Sequence, residues 1–163
     1  MDPAALTALA RHGQAVATAR AFARKSGAAR VVLLIDRGED VPALMVDLDD
    51  DTGETEVTDA ETVATIPGGM LVPAEPLELP EVRAIPPTAI TIDMETGELS
   101  APIGAIEHLA GAVKGLAAAL GGRSVATAEF ATREPGTPIT IAARPGEPPL
   151  LLAGDDQFEL PDS

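Results

Sequence analysis

Between residues 102 and 122, apolar side chains recur at Ile106, Leu109, Val113, Leu116 and Leu120. Steps of three and four lay such residues in one stripe along an α-helix, and Pro102, after Ser100-Ala101, is placed to start it. Gly121-Gly122 follows the stripe, as glycine does past a helix C-terminus. Gly104, Gly111, Gly115 and Ala118 hold the opposite side and leave room there for a second close contact. Residues 3–27 carry a weaker version of the pattern. Leu6, Leu9, Gly13 and Val16 form its apolar side, and Thr7, Arg11, Gln14 and Thr18 its wet side. Asp2 is placed to cap this helix, Pro3 at the first position needs no N–H partner, and Gly27 ends it.

Each helix runs into short strands. Residues 31–35 are a β-branched, apolar run bounded by charge, which reads as a buried strand. Arg37-Gly38-Glu39-Asp40 turns the chain into a second strand at 43–48. Asp49-Asp50-Asp51-Thr52-Gly53-Glu54 turns it again into 55–58, with glycine supplying the positive φ of a hairpin. After the second helix, strands are expected at 125–132, 138–143 and 150–153, with turns at Glu134-Pro135-Gly136 and Pro145-Gly146-Glu147. Residues 157–160 suit a last short strand. A turn like the one after Asp49 recurs as Asp93-Met94-Glu95-Thr96-Gly97-Glu98, between Ile90-Thr91-Ile92 and Leu99-Ser100.

This order predicts an α+β fold of duplicated α-β-β-β units, a mainly antiparallel sheet with two helices packed on it. Residues 1–65 form the first half and 89–163 the second, together one compact domain. Between them, 66–88 holds Pro67, Pro73, Pro76, Pro80, Pro86 and Pro87. Proline at this density cannot sit in a central strand and makes an extended linker. Met70, Leu71, Val72, Leu77, Leu79, Val82 and Ile85 within it call for a surface to lie against.

Composition changes the picture in two places. Only Phe22, Phe130 and Phe158 are aromatic in a chain that is 45% hydrophobic, so Val, Ile, Leu and Ala must fill the core. The net charge is −15, and such a mean field repels a nucleic-acid backbone. The first helix goes against this: Arg11, Arg20, Arg24 and Lys25 occur with no acid between residues 3 and 26. The chain's −15 less this helix's +4 leaves −19 for the rest. These four residues, with Lys114 as an outlying fifth, are the candidate contact for a polyanion or a partner, so nucleic acid is expected only locally through this helix. Ordinary complementation of the helix dipole by Arg24 and Lys25 is the competing account.

Little else points to chemistry. There is no cysteine, hence no disulfide or thiolate. No basic segment with an apolar run and a cleavage site opens the chain, and no stretch approaches a membrane span, so a cytoplasmic protein is expected. His12 and His108 lack partners at metal-ligand spacing. Asp47, Asp49 and Asp51 alternate like the start of a calcium loop, but the glycine falls at Gly53 and Thr58 stands where a bidentate Glu belongs. Ser26, Ser100, Ser124 and Ser163 have no nucleophile-elbow context. Gly121-Gly122-Arg123-Ser124 follows a helix, where the dipole has the wrong sign for an anion. Twenty-six acids allow many carboxylate pairs, and nothing singles one out. No catalytic, cofactor-binding or metal-binding residue is assigned, and no cofactor is expected.

The order helix, three strands, linker, helix, three strands resembles a domain of the DNA sliding-clamp (processivity-fold) family. The stretch from Pro138-Ile139-Thr140-Ile141 to Pro149-Leu150-Leu151-Leu152 is similar to the paired strands that close a clamp domain. That resemblance implies repeated β-α-β-β-β units, a ring lined by basic helices, and the first helix facing inward. The second helix, with Glu107 against Lys114, departs from such a lining. The passage from Gly27 to Leu48 also resembles regulatory domains of the roadblock or GAF type, which implies binding of a partner or small ligand. The expected role is a non-catalytic scaffold or assembly protein, clamp-like or otherwise, with a protein partner or self-association. A small regulatory or ligand-sensing domain and a carboxylate-based enzyme are the alternatives.

Overall fold

The computed structural model describes residues 3–36, 43–49, 54–59, 62–66, 75–79, 81–84, 86, 89–93, 95–96, 98–133, 138–154 and 156–160. In 3–12, 54–59, 62–66 and at 156 the description is of the backbone alone. The fold is α+β. Its first helix, α1 (Pro3–Ser26), leads into β1 (Arg30–Ile35), β2 (Leu44–Asp49), β3 (Glu54–Asp59) and β4 (Thr62–Ile66). A small hairpin of β5 (Thr91–Ile92) and β6 (Leu99–Ser100) comes next. Then α2 (Ala105–Leu120) leads into β7 (Val125–Phe130), β8 (Ile139–Ala143), β9 (Leu150–Ala153) and β10 (Asp156–Glu159).

Eight strands form one sheet in the order β10-β9-β8-β7-β1-β2-β3-β4, and every neighbouring pair is antiparallel. Both four-strand runs are therefore meanders, and they join where β1 pairs with β7, Arg30 opposite Glu129 and Leu34 opposite Val125. Each run has one strand more than the three-strand unit of the sequence pattern. The strand left out of the pattern, Thr62–Ile66, is a short run ending against Pro67 and joined to β3 through two residues, since Asp59 pairs with Thr62. Its counterpart, β10, sits where a final short strand was expected and is again joined to its neighbour through two residues, since Ala153 pairs with Asp156.

Successive side chains of a strand point to opposite faces, and the register puts all buried strand positions on one of them. Val31 lies opposite both Leu48 and Ala128, Leu33 opposite Val46 and Ala126, and Ile141 opposite Ala128 and Leu151. Both helices cover this face, α1 over β1 and β2 and α2 over β7 and β8. One apolar cluster runs through the whole layer, with Phe22, Leu33, Val113, Leu116 and Ile141 fully inaccessible. Ala126 and Ala128, at 0% and 1% exposure, let α2 approach the centre of the sheet closely.

The two helices bury corresponding positions. Apart from Gly13 in α1, whose counterpart Glu107 is exposed, and Ala105 in α2, the buried residues are 15, 16, 18, 19, 22, 23 and 26 in α1 and 109, 110, 112, 113, 116, 117 and 120 in α2, an offset of 94. The strands that follow match at an offset of 95: Val31, Leu33 and Ile35 with Ala126, Ala128 and Phe130, then Leu44, Val46 and Leu48 with Ile139, Ile141 and Ala143. The added residue falls in the Gly121-Gly122 turn, where both glycines have positive φ.

Three details correct the sequence expectations. The second α-helix begins at Ala105 behind a left-handed Gly104, so Pro102 lies outside it. Gly111 is exposed, with open space where a Cβ would be, and Ala118 is exposed as well. At these two positions the small side of α2 faces solvent, and Gly115 between them is half-buried. Thr18, placed on the wet side of the first helix, is fully buried. Its hydroxyl donates to the Gln14 carbonyl at 2.8 Å and accepts the Leu77 N–H at 3.0 Å.

That last contact fixes the course of the proline-rich connector. Leu77, Leu79 and Val82 pack against the core cluster. The Leu77 N–H is held by α1 and the Arg83 N–H is accepted by His108 Nε2 of α2 at 3.0 Å, so the segment crosses from one helix to the other. Ile90, 1% exposed, ends the crossing, and its carbonyl accepts the Arg133 N–H at 2.7 Å. Met70, Leu71, Val72 and Ile85 lie outside the described residues.

Candidate functional site

The alternation that buries one face of the sheet leaves a second set of side chains on the other. Arg30, Val32 and Leu34 of β1 stand there with Met45, Asp47 and Asp49 of β2. Val125, Thr127 and Glu129 of β7, Thr140 and Ala142 of β8, and Leu150 and Leu152 of β9 continue the same face. Both helices are on the opposite side, and among the described residues none packs on this one. Leu34 is 38% exposed, a high value for a leucine in a central strand.

The register sorts this face into rows across the strands. Glu129, Arg30 and Asp49 form a charged row at one end, and Val125, Leu34 and Met45 an apolar row at the other. Thr127, Val32 and Asp47 lie between them. Within the charged end the guanidinium of Arg30 grips both carboxylate oxygens of Asp47, the Nε contact at 2.8 Å. Hydrogen bonding to Asp47 and then its charge hold the Arg30 guanidinium above its ordinary range. Glu129 and Asp49 add to this, and partial burial opposes it. Asp47 and Asp49 are consequently strand residues facing an arginine, and the calcium-loop spacing reflects the two-residue period of β2. Asp51 lies outside the described residues.

The basic residues of α1 with described side chains lie in its last two turns, where Arg20 and Arg24, four residues apart, share a side of the helix. Arg24 and Lys25 are exposed in its last turn and Arg20 is half-buried one turn earlier. Arg11 is on the same helix, in the part where only the backbone is described. Lys114 belongs to α2. The end formed by Arg24 and Lys25 complements the helix dipole whatever else it does.

A surface hollow of about 480 Å³ lies where the connector crosses α2, lined by Glu81, Val82, Arg83 and His108. In the sequence His108 is a helical histidine with no partner at metal-ligand spacing. In the structure its Nε2 accepts the Arg83 N–H and so holds the connector. Only the pairing of a helical histidine with a distant backbone N–H makes this role visible, and nothing local in the sequence signals it. Ser26 and Ser124 are both fully buried; their hydroxyls accept the N–H groups of Ala28 at 3.2 Å and Asp36 at 3.1 Å.

Among the described residues no group of three or more His, Asp or Glu side chains is arranged to hold a metal ion, and no described helix is long and apolar enough to cross a membrane. No protein-family model matches the chain, and neither a curated protein nor a solved structure matches it.

Proposed function

We propose that this chain is a non-catalytic assembly protein that binds through the uncovered face of its eight-stranded sheet. The observation that carries the reading is the apolar content of that face. Val32, Leu34, Met45, Val125, Ala142, Leu150 and Leu152 share it, opposite the two helices. Leu34 is exposed and the other six are half-buried, and apolar side chains grouped on a sheet face that no described helix covers mark interaction sites more often than ordinary solvated surface does. The matching helices and hairpins of the two halves support a second element of the reading, that the chain is two copies of one folding unit joined through β1 and β7. The ring that the clamp resemblance implies is a special case, with a mass of several subunits.

The reading is tested by placing a photo-cross-linking amino acid at Leu34 in the producing cells, with the exposed Ala118 of α2 as the control position. A discrete covalent adduct from position 34 and none from 118 is expected. No adduct from position 34 would discard the reading.

A further inference from the structure

The proline-rich connector is tied to the two helices by hydrogen bonds of different kinds. At one end the Leu77 N–H is accepted by the hydroxyl of Thr18, which is fully buried and carries no titratable group. At the other the Arg83 N–H is accepted by Nε2 of His108, a half-buried side chain lining the hollow of about 480 Å³. A neutral imidazole has one acceptor nitrogen and an imidazolium has none. We infer that His108 is a proton-sensitive latch. Its protonation frees residues 81–84 of the connector from α2, while Leu77 stays held by Thr18. The device is independent of what the sheet face binds.

The charges around the imidazole decide the direction of the switch. Glu81 and Arg83 of the connector line the hollow with it. Both are exposed, so they act on an imidazolium through screened surface interactions of opposite sign. On α2, Glu107 is the chain neighbour, and Gly104, Ala105, Gly111 and Ala112, three and four residues away, carry no charge. Glu107 stays beside His108 whether the connector is docked or free, and so does not bias one position over the other. The hydrogen bond itself is what remains. A proton on Nε2 turns a donor toward the Arg83 N–H, which is also a donor, and the contact made by the neutral ring is lost. Val82, between the two charged residues, is half-buried and packs against the core cluster. Its packing opposes release, so acidification shifts a docking equilibrium and uncovers Val82 for a larger fraction of the time.

The test follows amide hydrogen exchange in the full chain from pH 8 to pH 5, the interval in which an unperturbed histidine changes charge. Rates are corrected for the intrinsic pH dependence of exchange. Protection of the Arg83 amide is expected to fall about three- to tenfold, as the loss of one net hydrogen bond gives. Its midpoint is expected to match that of the His108 ring protons by NMR, and Leu77 protection is expected to stay constant. His12, the other histidine, is told apart because its signals persist when His108 is replaced. His108→Gln keeps an acceptor that does not titrate, and is expected to hold the Arg83 amide protected across the interval. His108→Ala is expected to leave that amide as weakly protected at pH 8 as the parent is at pH 5. Arg83 protection that stays level while His108 titrates overturns the inference. A fall of the same size in His108→Gln also overturns it, assigning the pH dependence to a carboxylate such as Glu81. So does a parallel fall at Leu77, which would mean that the whole connector loosens and not its α2 end.

Discussion

Thr18 is fully buried and uses its hydroxyl twice, as donor to the turn beneath it and as acceptor for a connector residue 59 positions away. Thr18→Val keeps the shape and removes the acceptor, leaving the Leu77 N–H without this partner. The expected loss is about 1–3 kcal/mol, read by urea denaturation, with faster hydrogen exchange at the Leu77 amide. Asp93 acts more locally. Its carboxylate accepts the N–H groups of Glu95 at 2.9 Å and Thr96 at 3.3 Å. Those bonds, Glu95 first, hold it below the usual carboxylate range. A carboxyl depressed in the folded state adds stability that is present above its unfolded value and lost as pH falls through the folded one. The turn between β5 and β6 should therefore loosen on acidification below the ordinary aspartate range. Asp93→Asn should show the same faster amide exchange at Glu95 and Thr96 already at neutral pH, with no further change on acidification. The Arg30–Asp47 pair faces solvent on one side, its side chains 48% and 21% exposed. Such pairs contribute about 0–1 kcal/mol, so Arg30→Gln is expected to cost little in urea.

Helices and strands here are held by burial of a matched set of positions. Phe22 in α1 and Leu116 in α2 occupy corresponding places and are both inaccessible to solvent. Phe22→Ala is expected to cost about 3–5 kcal/mol and Leu116→Ala about 2–5 kcal/mol. Because a single core cluster joins both halves, each variant should still unfold in one cooperative urea transition, whereas independent halves would give two. Most elements were legible from period alone: α1 and α2 end at the glycines named, and β1, β2, β7, β8 and β9 fall within one or two residues of their runs. The start of α2 was misplaced because Pro102 suits a first helical position, while the backbone instead turns at Gly104. Residues 62–66 escaped because a five-residue threonine-rich strand at a sheet edge has no pattern distinct from a loop before proline. Thr18 was assigned to water because helical period places a residue on a side without revealing what crosses that side. The connector that covers it is 59 residues away in sequence.

The uncovered face of the sheet was only half legible. Alternation predicts that Val32, Leu34, Asp47 and Thr127 face away from the core, yet it does not say whether another layer covers them. Only the placement of both helices on one side does that. The same limit applies to the basic helix, where composition groups the charges and the described residues put Arg20, Arg24 and Lys25 in its last two turns. Salt separates self-association through the sheet face, one form the proposed binding can take, from an assembly driven by that helix. Two copies at −15 each repel at long range, while a face-to-face contact is driven mainly by apolar burial at close range. Screening shortens the reach of that repulsion from about 30 Å at 0.01 M salt to about 8 Å at 0.15 M. The dissociation constant of the pair should accordingly fall as salt is raised across this interval, measured by light scattering on a dilution series. An assembly in which Arg24 and Lys25 of one chain seek the acidic surface of the next would respond oppositely, because salt would screen the attraction that makes it. A dimer that loosens with salt would therefore count against the sheet face and in favour of the basic end of α1.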